Sequence, residues 1–596
     1  MDVLNTLYSF TPSYNHSFRA QSPIGSDSWP SKRTLKSPKS VIRPQILIGY
    51  TSCLCKRTPT SPESAIRPQS PVRSKAWFFK NAPISLKSTI HTARRRWNYR
   101  RRRLSTSAIA QPLTSPLTES FSPSNEDEVE EEKDMFKWFE HWYPAAPEYD
   151  LDKRVPHAFT VLGLDIVVWW DKEEQGWRVF DDSCPHRRAP LSEGRIDENG
   201  DLQCSYHGWC FGSKGECKSI PQAPADGPPV HTSKRACAGL YPSVQQQGII
   251  WFWPSTDPLY KDIALEKMPP LIPVLSDPSF RSVLSMRDIP YGYEILIENL
   301  MDPSHVPYAH HRLASNSSFW KSPRRGGKPL DLRLQNMDKL GFQGEGEKSS
   351  TIFVAPCIYV SKSTFTPSKE GKSQTLKSGT EEEKMKTIFL VFICVPVAPG
   401  RSRLIWAFPR NFALWLDRAL PRWLYHIQQN LFLDSDLYFL HLEERKLQGY
   451  GQTNWEKACY VPTKADAFVV AFRKWLKKYS NGGVPWGTKF SGLLPPTPSK
   501  EQLMDRYWSH VVKCRSCKRA LNVFRALEVV TQVLSIVFVG MLGVMAAIKR
   551  TPSTYLYVWN TLLVASALIC CLTSRWLSQF IYKTYYFHDY NHALVK

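Results

Sequence analysis

Residues 184–212 read CPHRRAPLSEGRIDENGDLQCSYHGWCFG. Within them, Cys184-x-His186 and Cys204-x2-His207 form two mixed pairs, each holding one thiol and one imidazole. Structural zinc usually gathers its cysteines in one pair and its histidines in the other, or uses cysteines throughout. One Cys and one His from each of two loops is instead the donor set of a [2Fe–2S] centre with two thiolates on one iron and two imidazoles on the other. Zinc stays open on ligand count, but Pro185, Gly208 and Trp209 around the pairs make the pattern far more specific than a bare count. Neutral imidazoles in place of anionic thiolates make such a cluster easier to reduce.

Outward from this stretch, short β-branched and aromatic runs recur, such as FTVL (159–162), IVVWW (166–170) and IIWFW (249–253), broken by Gly- and Asp-containing turns. They predict a compact all-β domain over 137–256 that holds the cluster. A proline-rich connector follows, then an α+β domain over 270–500, an antiparallel sheet with helices. Within it, 283–315 reads as mostly helical, 351–360 and 386–397 as strands, 368–383 as a polar loop and 411–447 as helix.

The C-terminal part differs. Residues 529–548 carry no charge, and 555–572 are a second apolar run. At about 1.5 Å per residue, twenty residues cross a hydrocarbon core of about 30 Å. Lys549-Arg550-Thr551-Pro552 joins the runs, so a helical hairpin in a membrane is expected over 529–572, with a juxtamembrane segment at 501–528 and a tail at 573–596. Positive charge flanks both outer ends more heavily than the turn, which puts both ends on the same side.

The net charge of +23 suggests nucleic acid until it is located. Residues 1–118 hold 20 Lys and Arg against three acids, so most of the surplus lies in a Ser-, Pro- and Arg-rich leader and not in a folded domain. That composition predicts an organelle transit peptide, of plastid length, followed by an acidic linker at 119–136. No nucleic-acid partner is expected. Fourteen cysteines in 596 residues do not make a disulfide scaffold. Cys514-x2-Cys517, one helical turn apart before the membrane, reads as either a thioredoxin-controlled pair or two packed cysteines.

The stretch from Cys184 to Trp209 resembles the cluster motif of the Rieske non-haem iron oxygenases. Such enzymes also carry a mononuclear Fe(II), which the resemblance places at ENLMDPSHVPYAHH (298–311). His305 and His310 match two ligands of the 2-His-1-carboxylate triad, with His311 a near alternative to His310. FLDSDLYFLHLEER (432–445) offers Asp434 and Asp436 as the third, and the family pattern favours Asp436. Glu298 and Asn299 match family positions beside the iron. Asp302 matches the carboxylate that bridges a cluster histidine of one subunit to an iron histidine of the next, which implies a homotrimer. The hairpin and the late Cys-x2-Cys resemble the plastid branch of the family, which includes pheophorbide a oxygenase and translocon Rieske proteins.

The resemblance implies a monooxygenase oxidising a ring methyl of a chlorophyll-type tetrapyrrole to a formyl group with O2. Macrocycle opening is the nearest enzymatic alternative. No G-x-G-x-x-G follows a strand, so reduced ferredoxin is the implied donor. The expected location is a plastid membrane, the inner envelope before the thylakoid, with the catalytic domains in the stroma. A redox-sensing part of the import translocon is the rival without turnover.

Overall fold

The run DIVVWWD (165–171) is buried from Ile166 onward without alternation, because both of its faces are covered. It forms strand β3 (Leu164–Asp171), between β2 (His157–Val161) and β4 (Gly176–Asp181). Successive side chains point to opposite faces of a strand. Val167 and Trp169 therefore enter one cluster, with Cys184 and Cys204. Ile166, Val168 and Trp170 enter the main core, which continues into the following domain. A single strand thus ties the cysteine loops to the rest of the protein.

The structure is a computed structural model. It describes residues 135–594 apart from 312, 314–326, 366–384, 452–453, 489, 491, 549–550 and 552. The basic leader, most of the acidic linker and the polar loop at 368–383 lie outside the described residues.

The first domain has three small antiparallel sheets. One pairs β1 (Tyr143–Pro147), β11 (Ile249–Phe252) and β10 (Ser243–Gln246), and another runs β2-β3-β4-β9, where β9 is Leu240–Tyr241. The third is built from β5 (Arg195–Ile196), β6 (Leu202–Gln203), β7 (Cys210–Phe211) and β8 (Cys217–Ser219). The second domain is a seven-stranded antiparallel sheet in the order β12-β18-β17-β16-β15-β14-β13. Its strands are β12 (Ser285–Ile289), β13 (Arg333–Asp338), β14 (Gly341–Gly346), β15 (Ser349–Val354), β16 (Ile358–Phe365), β17 (Lys386–Ala398) and β18 (Arg401–Ala407).

Two expectations need correction. Residues 283–315 are not mostly helical: SMRDI forms the edge strand β12, paired with β18 from Ser285↔Trp406 to Ile289↔Ser402, before helix α1 (Tyr293–Met301) begins. Pairing with an existing sheet overrides the weak local preference of a five-residue run. The run 351–360 is not one strand but the facing ends of β15 and β16, turned at Ala355-Pro356-Cys357.

Helix α2 (Arg422–Gln448) starts after Pro421, which suits the start of a helix and not its interior. Its buried residues include His426, Asn430, Asp434, Ser435, Asp436, His441 and Glu444. A helix that buries a polar stripe needs partners for it, and this stripe supplies the site below. Helix α3 (Ala467–Tyr479) buries Phe468, Phe472 and Trp475 in the main core.

Helices α4 (Arg515–Ala547) and α5 (Thr554–Ile581) pair with each other, Ser535 Oγ donating to the Ala567 carbonyl at 3.0 Å. Both are long and apolar enough to cross a membrane, and none of the most apolar stretch of α4 is buried within the protein. Exposed Ile536, Val539, Ile569 and Leu572 make poor sense in water.

Candidate active site

The two Cys-His loops share one backbone design. Cys184 N–H donates to the Ala189 carbonyl and Arg188 N–H returns to the Cys184 carbonyl, both at 2.8 Å. Cys204 N–H donates to Trp209 at 2.9 Å and Gly208 N–H returns to Cys204 at 3.0 Å. The fourth residue after each cysteine has positive φ, +61° at Arg188 and +76° at Gly208. The result is a pair of equivalent knuckles, one after β4 and one after β6.

Both cysteines are buried, and burial pushes the Cys184 thiol up to about 11, with Cys204 close enough to add to the rise. The rings of His186 and His207 lie edge to face with centroids 4.5 Å apart, and His186 stacks on Trp209 at 4.7 Å. His186 Nδ1 is buried with no hydrogen-bond partner. An orphaned imidazole nitrogen beside two adjoining buried thiols is costly alone. It suits a cluster that takes two sulfurs and two nitrogens.

The second site lies where α1 ends. Asp302 is the C-cap of α1, and His305 begins the short turn Val306–Ala309. Asp302 and His305 are therefore not on one helix. His305 Nδ1 donates to the Asp302 carbonyl at 2.5 Å. Ser435 donates its hydroxyl proton to the Phe432 carbonyl at 2.6 Å, so toward His310 Nδ1, at 2.7 Å, it can only accept. Each histidine has thus committed its Nδ1–H outward. Their two Nε2 atoms, carrying lone pairs, face each other at 3.2 Å. Asp436 Oδ2 is 3.5 Å from His310 Nε2, and Asp436 Oδ1 is buried without a partner.

Two lone pairs at that distance repel unless a proton or a metal ion lies between them, and with the buried Asp436 carboxylate beside both nitrogens these residues fit a metal. The donor atoms of His305, His310 and Asp436 lie within 4.8 Å of one another. Burial pushes Asp436 up to about 7, against the pull of His305 and of a hydrogen bond from Asn299. Burial also holds His310 down to about 3, with His305 and His592 adding to the effect.

The structure brings together most, but not all, of the residues singled out from sequence. Asn299 supports Asp436. Glu298 is buried on α1 and paired with Arg473 of α3, burial pushing it up to about 7. Asp434 faces away from the triad, bound by Arg287 at 2.7 Å and Arg506 at 2.8 Å, all three buried. The Asp302 carboxylate mainly accepts from Ser304 N–H at 2.7 Å, with its other oxygen 3.7 Å from His305 Nδ1. Cys514 caps α4 and Cys517 sits in its first turn, both buried beside His426 and His510.

Sequence reasoning missed Ser435, which orients His310, and His592. The latter returns from beyond the hairpin to place its Nε2 2.8 Å from the Ser435 carbonyl. His426 and His510 were missed as well, although His510-x3-Cys514-x2-Cys517 was there to be read.

Comparison with known proteins agrees with this geometry. A Rieske [2Fe-2S] domain model matches residues 141–237, and a pheophorbide a oxygenase model matches 353–454. The first spans both knuckles, the second strands β16 to β18 and all of α2, which carries Asp436. The chain is 50% identical over 520 residues to protochlorophyllide-dependent translocon component 52 of Arabidopsis thaliana, covering 83% of this chain and 92% of that one. It is 51% identical over 479 residues to flavonoid 8-hydroxylase 2 of Ocimum basilicum, covering 79% and 89%. Pheophorbide a oxygenase of Arabidopsis thaliana is 36% identical over 521 residues, covering 82% and 91%. All three are chloroplastic proteins. With identity of this extent along most of both chains, and with two sites built for a Rieske cluster and a mononuclear iron, the chain belongs to the Rieske oxygenases of the pheophorbide a oxygenase family.

Proposed function

We propose that the protein is a plastid, membrane-anchored monooxygenase that takes electrons from reduced ferredoxin and oxidises a chlorophyll-type tetrapyrrole. In this reading Cys184, His186, Cys204 and His207 hold the cluster, and His305, His310 and Asp436 hold the mononuclear iron. The observation that carries it is the pair of facing Nε2 atoms beside a buried carboxylate. Three protein ligands leave positions open for O2, which a site built only to sense redox state does not need. When bound, the cluster supplies one-electron transfer and the iron supplies oxygen activation.

The chain's own residues set the conditions. The Asp302 carbonyl and Ser435 fix the tautomer and angle of the two histidines, and Asn299 fixes Asp436. The Asp302 side chain is about a quarter exposed and lies near His305. In a homotrimer it can meet a cluster histidine of the neighbouring subunit, closing a route for the electron. The anchor favours a substrate that partitions into a bilayer, and two relatives are named for chlorophyll-type tetrapyrroles.

A second reading is hydroxylation of a flavonoid ring, favoured by the 51% identity to flavonoid 8-hydroxylase 2. Oxygen uptake by the full-length protein with reduced ferredoxin decides between them. Protochlorophyllide, chlorophyllide, pheophorbide and a set of flavones are supplied in turn. Coupled uptake with a tetrapyrrole and an oxidised tetrapyrrole product is the expected result. Turnover of flavones alone transfers the substrate to the second reading. Failure of every substrate, with both metals present, leaves the translocon redox sensor.

A further inference from the structure

The juxtamembrane segment and α2 bring together four side chains that neither iron site uses. His426 lies on α2, on the same helix as Asp436, and His510 precedes α4. Cys514 Sγ is 3.3 Å and Cys517 Sγ 3.4 Å from His426 Nδ1, and Cys517 Sγ is 3.3 Å from His510 Nε2. The four donor atoms lie within 4.8 Å of one another, and none of the four residues is more than 2% exposed. His510 Nδ1 donates to the Met286 carbonyl at 2.6 Å, so its Nε2 presents a lone pair to the sulfurs. This is the outward hydrogen bond that metal-binding histidines make. Val511, Leu521, Ile581 and Tyr585 close an apolar shell around the cysteines.

We propose that His426, His510, Cys514 and Cys517 form a closed, four-coordinate structural zinc site that clamps the iron-bearing helix to the base of the membrane hairpin. A tetrahedron with Zn–S of about 2.3 Å and Zn–N of about 2.0 Å has sulfur–nitrogen edges of about 3.5 Å. The observed edges of 3.3 to 3.4 Å are already close to that. Two thiolates and two imidazoles in a tetrahedron suit zinc by softness and geometry. The thiolates neutralise the divalent ion. The nearest acid, Asp150, is 3.4 Å from Cys514 Sγ but paired with Arg422 at 3.1 Å.

The rival is a metal-free cluster of protonated thiols. Cys514 would donate to Asp150, Cys517 to His510, and a His426 Nδ1–H to one of the sulfurs, an arrangement that holds no metal and that elemental analysis distinguishes. A thioredoxin-controlled pair meets a further obstacle, since both thiols are buried and, in a zinc site, both are ligands.

The site does not depend on which substrate the enzyme takes. Elemental analysis of the full-length protein should give about one zinc per chain besides the irons of the two redox centres. Zinc K-edge absorption should show sulfur neighbours at about 2.3 Å and nitrogen neighbours at about 2.0 Å in equal number. Cys514→Ser with Cys517→Ser should release the zinc while the reduced-cluster EPR signal persists. Should that variant fail to accumulate, the wild-type measurement stands by itself. Wild-type protein without zinc, with zinc bound by oxygen only, or with further iron in its place would overturn the proposal.

Discussion

Asp434 and Asp436 both stand in the stretch that offers the third ligand, with Asp436 favoured by the family pattern, and two residues of helix separate their roles. Residues i and i+2 on a helix point about 200° apart. Asp434 therefore turns toward Arg287 of β12 and Arg506, and Asp436 toward the histidines. Opposite outcomes are expected from the two asparagine variants. Asp436→Asn should give a stable protein with an intact cluster and depleted mononuclear iron. Asp434→Asn strands two buried guanidinium groups, at a cost of about 3–5 kcal/mol, and should lower the thermal midpoint before it touches iron content. Iron analysis beside thermal unfolding of both variants checks this, and reversed results would exchange the two roles. At Asp302 the main-chain carbonyl, not the carboxylate, holds His305 at the shorter distance. Asp302→Asn should thus retain both metals and normal reduction by ferredoxin, yet slow the reoxidation of the cluster with O2 and substrate. Unchanged reoxidation in a single-turnover experiment would reduce Asp302 to a turn-former. The motif spacings made His305 and His310 legible. Ser435 was not, because a serine inside a helix carries no mark of what its hydroxyl will meet.

The knuckles show what an element adds to a motif. The pattern of Cys, His and Gly was readable in the sequence, whereas the equivalence of Arg188 and Gly208 was not, because backbone handedness leaves no trace in an arginine. At Gly208 an added Cβ would meet Pro221 Cγ at 3.2 Å, in a backbone that disfavours side chains. Gly208→Val should cost about 1–2 kcal/mol from the left-handed conformation alone and lower cluster occupancy, read as EPR signal per chain. Arg188→Gly relieves the corresponding strain and should keep full occupancy. A loss of signal in Arg188→Gly comparable to that in Gly208→Val would mean that the arginine side chain, not the turn, matters there. Long apolar or strongly periodic stretches such as β3, α2 and the hairpin were legible from sequence. The edge strand β12 was not, since its five residues become a strand only by lying against β18.

Across the whole molecule, the base of the membrane hairpin is knit into the catalytic domain, while its apolar length stands free of it. Ser509 pairs with Asp288 of β12, Lys513 pairs with the Asp288 side chain, and His426 of α2 meets the cysteines at the start of α4. Beyond α5 the chain turns back: His588 lies 3.5 Å from Asp434, and His592 reaches the Ser435 carbonyl. Nothing in the tail's composition announces this return, because the contacts join positions more than 150 residues apart. Deleting residues 588–596 should leave the protein in the membrane with a normal cluster. It should weaken iron binding or turnover by about 10- to 100-fold, the usual effect of losing support behind a metal ligand. Normal turnover by the shortened protein would make the tail ornamental. The tail also orders assembly in time. The knuckles are complete once residue 256 or so has folded, but the support behind His310 waits for the segment around His592, which follows the hairpin and meets Ser435 only after the hairpin has been threaded into its bilayer. A molecule clipped or stalled at its C-terminus would then be coloured and reducible, able to accept electrons and with nowhere useful to send them.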